Sequence, residues 1–446
     1  MTPVPKGGVA LVFPYFYERD PVDILFPPLG IASLAAGLRT LGIPAGIHDG
    51  TFDTFDRMVD AIVAQQPSIV AVSIMVTMSR NAFALLDALR PRLPETLFVA
   101  GGPFPTVDPV RFATWFDCVF QGEGDCSFPA FCNDYLRVDR KFRLENMDPD
   151  RYPGICRIQG TTVIASPPRH QTEGELNALP LPDRSRFAHG KYQEFWMKNT
   201  GVRVTNLMVT RGCPFSCDFC SRPVWGNHFR KTDLDRVFRE IDAIAALGYD
   251  RLWIADDCFT LDDRYLREFC ERMIALYHPL TWTCLSRVDR LNLDMARLMH
   301  RAGCVRVYLG LESGSDQTLA LMGKRSSVED GRSAVRLFHD AGIGTAGFFI
   351  VGYPGEDTTA IEETFSFALS LPLDEVSFNV PLPLPGTPLF SRVGIPATWE
   401  DWDVANQVKF VYPSEFDAGW LKRRIDETLA AFRSQTHGSD SDLSGT

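Results

Sequence analysis

The sequence predicts an α/β protein in two parts, an N-terminal doubly wound parallel sheet followed by a partial (β/α)6 barrel. Three observations carry that expectation. Over the first 135 residues short apolar runs alternate with segments of helical period, the pattern of a parallel sheet covered on both faces. The alternation lapses over residues 136–199 and resumes at Val204, with six strand-like runs separated by five helical ones, which suits an α/β barrel, complete or partial. The 446 residues are 45% hydrophobic and 23% charged, globular proportions with room for two or three domains.

In the first part the expected strands are Val9–Phe13, Ala45–His48, Ile69–Ile74, Leu97–Ala100 and Cys118–Phe120. The helices are Leu29–Leu41, Thr54–Gln65 and Asn81–Leu89. Residues 136–199 are rich in Arg and Pro with few periodic runs, so they read as a linker with a small hairpin at Ile155–Ile164. The barrel strands are Asn206–Val209, Arg251–Ala255, Leu280–Cys284, Val305–Leu309, Gly347–Val351 and Val376–Asn379. Between them lie the helices Asp233–Leu247, Arg264–His278, Leu293–Ala302, Val328–Ala341 and Thr358–Leu371. The expected domains are therefore 1–135, a linker 136–199, a barrel 200–390, a C-terminal cap 391–435 with a helix at Trp420–Phe432, and a disordered polar tail 436–446. The cap's aromatics (Trp399, Trp402, Phe410, Tyr412, Phe416, Trp420) suit either a ring-bearing ligand or an ordinary core.

Lys and Arg number 45 against 56 Asp and Glu, a formal charge of −11, which disfavours a nucleic-acid partner. No apolar run reaches the roughly 18 residues that span a bilayer, and the N-terminus lacks a convincing signal-peptide cleavage site. A cytoplasmic protein without a membrane span is expected. Eleven cysteines, an odd number in a reducing compartment, argue for metal binding over disulfides.

The sharpest motif is Arg211-Gly-Cys213-Pro-Phe-Ser-Cys217-Asp-Phe-Cys220, directly after a strand. Three thiolates on one loop can hold a [4Fe–4S] cluster and leave one iron open. Zinc would want a fourth ligand, usually from a second paired cluster, and no second pair is present. The C-x3-C-x2-C spacing, with Phe219 before the third cysteine, resembles the signature of the radical S-adenosylmethionine (SAM) superfamily, over about residues 200–390. The resemblance implies a [4Fe–4S] cluster on Cys213, Cys217 and Cys220, with SAM chelating the open iron and cleaved to a 5′-deoxyadenosyl radical. It also implies SAM contacts from Asp256 and Asp257 after the second strand, where many members carry Gly-Gly-Glu, from Glu312 and Ser313 after the fourth, and from Gly352 after the fifth. Tyr353 and Glu356 lie near the same place, the tyrosine reading as packing.

The first part resembles the cobalamin-binding domain that precedes the barrel in cobalamin-dependent radical SAM enzymes. The carrying segments are Phe26–Ile31, Val72–Met75, Ala100–Pro103 and Gln121–Gly124. The resemblance implies cobalamin contacts from Ser73, Gly101 and Gly102. The Asp-x-His-x-x-Gly pattern that ligates cobalt elsewhere is absent; His48, at the wrong strand, reads as a solvated turn residue. With cobalamin the expected reaction is C-methylation of a small metabolite or natural-product intermediate; without it, a radical dehydration, cyclisation or oxidoreduction beside a degenerate domain. Either needs a small-molecule substrate and an external electron donor such as flavodoxin or ferredoxin. A methylthiotransferase would carry a second cluster on Cys118, Cys126 and Cys132, but Cys118 reads as strand and Cys132 as a buried helix face.

Overall fold

The computed structural model of the chain describes residues 7–137, 144–222, 224–394 and 408–440, the last five by backbone alone. These form two compact units. One is drawn from residues 1–203 and 222–247, the other from 204–221 and 248–446.

The first unit is built on a seven-stranded sheet. Its strands are β1 (Val9–Phe13), β2 (Ala45–Asp49), β3 (Ile69–Ser73), β4 (Leu97–Gly101), β5 (Cys118–Phe120), β6 (Ile155–Gln159) and β7 (Thr162–Ala165). Their order is β2-β1-β3-β4-β5-β6-β7. The first five are parallel, and β6 and β7 join antiparallel as a hairpin. Val9 to Val12 are wholly buried, which explains why β1 reads as an unbroken apolar run. The order reverses between β1 and β3, and such sheets bind ligands in the crevice beyond the carboxyl ends there.

Residues 144–200 do not behave as a linker. Besides the hairpin they supply a helix, His189–Thr200, whose Tyr192 hydroxyl donates to Asp49 Oδ2 at 2.7 Å and whose Trp196 indole donates to Leu25 O at 2.7 Å. The proline-punctuated strap is held by Arg236, which donates to Leu179 O and Pro180 O. Next to it Arg184 pairs with Glu240 at 2.8 Å, both side chains 5% exposed. The arginines that suggested a solvated linker are thus partly structural. His48 also departs from expectation. It is buried and shares a 2.7 Å hydrogen bond with Gln65, and burial lowers its pKa.

The second unit is an open sheet of six parallel strands. They are β8 (Val204–Leu207), β9 (Arg251–Ile254), β10 (Thr281–Ser286), β11 (Cys304–Glu312), β12 (Gly344–Ile350) and β13 (Glu375–Asn379), paired in chain order. Side chains alternate across the sheet. Trp282 of β10 packs edge-on against Phe259 and against Phe269 of the helix Asp263–Ala275. On the opposite face Trp253 meets Tyr308 at a tilt, with centroids 4.5 Å apart, and Tyr308 stacks on Phe348 at 5.6 Å.

The C-terminal helix runs over Ala418–Asp440, longer than the expected Trp420–Phe432. It overruns the start of the expected disordered tail, since extending a formed helix costs little per residue. Its Leu421 and Ile425 bury against Val351, Ile361 and Phe365, with Phe410, Phe416 and Trp420 packed around them. Those cap aromatics therefore form a core. Trp399, Trp402 and residues 441–446 lie outside the described residues. No helix of the described residues is long and apolar enough to cross a membrane.

Candidate active site

The candidate residues of the second unit fall at the carboxyl ends of its strands, the end at which barrel folds carry their chemistry. The loop after β8 holds Cys213, Cys217 and Cys220, all half-buried and none in a disulfide. Of the other cysteines only Cys126 is exposed, and the rest are buried. Among the described residues no three His, Cys, Asp or Glu side chains converge as they would around a single ion. A [4Fe–4S] cluster takes each thiolate on a different iron. Three separated, half-buried thiols on one loop fit that demand better than a tetrahedral zinc site.

The cysteine loop is anchored between its ligand positions. Asp218 N donates to Met322 O at 2.9 Å, and Asp218 O accepts from Leu389 N at 3.1 Å. Its carboxylate accepts from the Tyr353 hydroxyl and from Arg392, each at 2.6 Å. Phe219 meets Tyr353 edge-on at 6.5 Å. Arg287, at the end of β10, lies 3.8 Å over the Phe215 ring and makes two hydrogen bonds to Asp289. Burial pulls the pKa of Arg287 down, but Asp289, with the Cys217 and Cys258 thiols behind it, raises it overall.

Asp256 spends its carboxylate on the protein's own backbone and Thr210. It is buried, and its oxygens accept from Val209 N and Thr210 N at 2.8 Å and from Thr210 Oγ1 at 2.7 Å. This side chain staples the end of the first strand, which is why β8 stops at Leu207 and not at the expected Val209. Asp257 is exposed. Burial raises the pKa of Asp256 to about 7, and burial does the same to Glu356. A carboxyl raised in the folded state favours folding below its unfolded pKa of about 4, and that contribution is lost as pH rises through about 7. Asp256→Asn is therefore expected to flatten the fall in melting temperature between about pH 5 and pH 8. A slope equal to that of the unmodified protein would refute this sign.

Glu312 sits where the resemblance places it, at the end of β11, but with a partner that the sequence did not disclose. It is buried, has a φ of +64°, and pairs with Lys324 Nζ at 2.5 Å. The β11–β12 register shifts between Gly310 and Glu312, and the positive φ belongs to that irregularity. A Cβ on Gly310 would stand 2.5 Å from Glu312 Oε1 and 2.9 Å from Lys324 Nζ, so the pair needs glycine beneath it.

Ser313 and Gly352 serve the protein itself. Ser313 is wholly buried, meets Thr364 Oγ1 at 3.0 Å and accepts from Ser315 N. Gly352 has a φ of +77°, and a Cβ there would come within 2.8 Å of Phe410 and 3.1 Å of Leu421. Its close approach is to the C-terminal segment. Glu356 Oε2 closes the turn by accepting from Gly352 N and Tyr353 N.

In the first unit Ser73, Gly101 and Gly102 come together at the carboxyl ends of β3 and β4. Ser73 pairs with Gly101 in register. Gly102 has a φ of +96°, and a Cβ there would meet Ile74 N, Ile74 O and Ser73 Oγ within 3.0–3.2 Å. A Cβ on Gly101 would meet only Phe120 O, at 3.7 Å. This open backbone beside the order reversal fits the flat packing of a cobalamin tail. After β5, Glu123 is buried against Arg230, and its carboxylate accepts from His170 Nδ1 at 3.2 Å. Cys118 and Cys132 are buried, their thiols pushed far up by burial, whereas Cys126 is exposed. They form no second ligand set.

Comparison with known proteins agrees with this geometry. The Radical SAM superfamily profile matches residues 207–368, and the B12 binding domain profile matches residues 22–131. An uncharacterized methyltransferase of Pyrococcus horikoshii is 30% identical over 372 residues, covering 82% of this chain and 78% of the relative. An anaerobic magnesium-protoporphyrin IX monomethyl ester cyclase of Cereibacter sphaeroides is 26% identical over 382 residues, covering 82% of this chain and 60% of the relative. The radical SAM methyltransferase TsrM from Kitasatospora setae, solved with cobalamin and a [4Fe–4S] cluster bound, has a similar fold. Its TM-score is 0.71 at 20% identity, over 87% of this chain and 74% of that one. The chain therefore belongs to the radical SAM enzymes that carry a B12-binding domain, with a [4Fe–4S] cluster, SAM and cobalamin as cofactors.

Proposed function

We propose that the protein is a cobalamin-dependent C-methyltransferase acting on a small molecule with an apolar, ring-bearing body. The observation that carries the reading is the pairing of two sites in one chain, a three-cysteine loop at a barrel end and a glycine cradle at a doubly wound sheet. When bound, the cluster supplies the electron that cleaves SAM, and cobalamin carries a methyl group to the substrate carbon. Cys213, Cys217 and Cys220 would hold the cluster. Ser73, Gly101 and Gly102 would line the cobalamin tail. Glu312, fixed by Lys324, and the exposed Asp257 are the side chains at strand ends that would face SAM. The neighbouring rings of Trp253, Tyr308 and Phe348 would offer the substrate an apolar face and keep water from it.

The methyltransferase relative in Pyrococcus supports methyl transfer. The cyclase relative in Cereibacter supports ring closure as a second reading. A cytoplasmic setting, with flavodoxin or ferredoxin as electron donor, suits free thiols and a reduced cluster. The test is anaerobic purification with cobalamin supplied, then counting iron and cobalamin per chain. About four irons with about one cobalamin is the expected result. About four irons without cobalamin would move the reading to a cobalamin-independent reaction.

Gly102→Ala is expected to lower bound cobalamin per chain while leaving iron per chain unchanged. The substitution forces a Cβ against Ile74 and Ser73 at a φ that costs a side chain about 1–3 kcal/mol. Cobalamin retained in full would remove Gly102 from the cofactor site.

A further inference from the structure

We propose that Asp218, Tyr353 and Arg392 form a clamp that holds the cysteine loop in ligand-ready shape, which makes them positioning residues for the cluster. The inference rests on the cluster reading above and concerns how the loop keeps its shape. Asp218 lies next to Cys217 and two residues before Cys220. It is the point at which three separate elements seize the loop. Its backbone N–H is taken by Met322, after the helix Asp316–Leu321, and its carbonyl by Leu389, in the helix Pro388–Val393. Its carboxylate is shared by the Tyr353 hydroxyl, in the turn after β12, and by Arg392, at 2.6 Å each.

The parts of the clamp support one another. The Arg392 guanidinium lies 5.4 Å over the Tyr353 ring, a cation against a π-face. Tyr353 is wholly buried in a small core with Met322 and Leu389, the same residues whose backbones hold Asp218, and Phe219 packs against that core. A loop of that kind with one anchoring side chain would sample many shapes. A charge-assisted acceptor with two donors, backed by two backbone bonds, leaves it few. Each thiolate must meet its own iron, so restricting the loop favours assembly and opposes iron loss.

Tyr353→Phe removes one hydroxyl, and Asp218→Asn keeps the shape while removing the charge. Both would be reconstituted anaerobically beside the unmodified protein. Three readouts follow: iron per chain, the rate of iron loss to a chelator, and the electron paramagnetic resonance signal of the reduced cluster. The expected result is iron uptake near that of the unmodified protein, release several-fold faster in Tyr353→Phe and faster still in Asp218→Asn, and a broadened signal in both. Arg392→Lys, which keeps the charge, should release iron at an intermediate rate. Melting of the apo-protein checks that each variant folds. Release rates and spectra equal to those of the loaded unmodified protein would overturn the clamp alone. An unmodified protein that takes up no iron would overturn the cluster reading, and the clamp with it.

Discussion

Replacing Cys213, Cys217 or Cys220 with alanine is expected to abolish SAM cleavage and to take iron per chain from about four toward zero. The size of the effect follows from the geometry. The loop offers three thiols and the cluster needs all three, because the remaining iron must stay open to SAM. Among the described residues no other cysteine lies on that loop. Cys258, at the end of β9, is the nearest in role, but it is buried and its thiol is pushed up to about 11, chiefly by burial. A group so protonated at neutral pH is a poor ligand. Cys126→Ala, at an exposed thiol of the first unit, is the control that should change nothing. The readout is 5′-deoxyadenosine formed from SAM under reducing conditions. Activity near that of the unmodified protein in any of the three variants would sink the assignment.

Lys324→Met is expected to destabilise the second unit by about 3–5 kcal/mol, the usual cost of leaving one half of a buried ion pair uncompensated. The Lys324 and Glu312 side chains are 6% and 9% exposed, with 2.5 Å between nitrogen and oxygen. Water cannot replace the ammonium there. The carboxylate already sits on a backbone at a φ of +64°, a conformation that costs about 1–3 kcal/mol in itself. Urea denaturation measures the loss. The double variant Glu312→Gln with Lys324→Met should recover most of it, because no buried charge then remains. A single variant within about 1 kcal/mol of the unmodified protein would mean that the pair opens to solvent.

Much of the fold was legible because parallel strands buried on both faces leave unbroken apolar runs. The barrel strands of the sequence reading fall within a few residues of those observed, as do the five helices between them. The cysteine loop was legible because its chemistry needs a fixed residue type at a fixed spacing. Side-chain roles at strand ends were less so. Asp256 and Asp257 look alike in sequence, yet one turns inward to staple Thr210 and the other faces solvent. Ser313 reads as a polar contact but is spent on Thr364. Gly352 reads as room for a ligand, whereas Phe410 and Leu421 fill that room from a distant part of the chain. The buried pairs of Lys324 with Glu312 and Arg184 with Glu240 were not legible, because burial of a charge is decided by a partner that local sequence does not name. Tyr353 read as packing, and its hydroxyl's reach to Asp218 depends on a turn and a loop far apart in the chain.

The path of the chain between its units has a consequence for descent and engineering. It passes from the first unit to the second at Val204, returns at Arg222, and leaves again at Gly248. The cysteine loop is thus an excursion, with the first unit's own chain on both sides of it. Arg230, on the returning segment, neutralises Glu123, and Glu240 neutralises Arg184. A fragment begun at residue 200 would not be a liberated catalytic module. It would take away the counter-charges of a sheet it was meant to leave intact. A recombinant that trades one half for another would therefore need to carry residues 222–247 with the sheet.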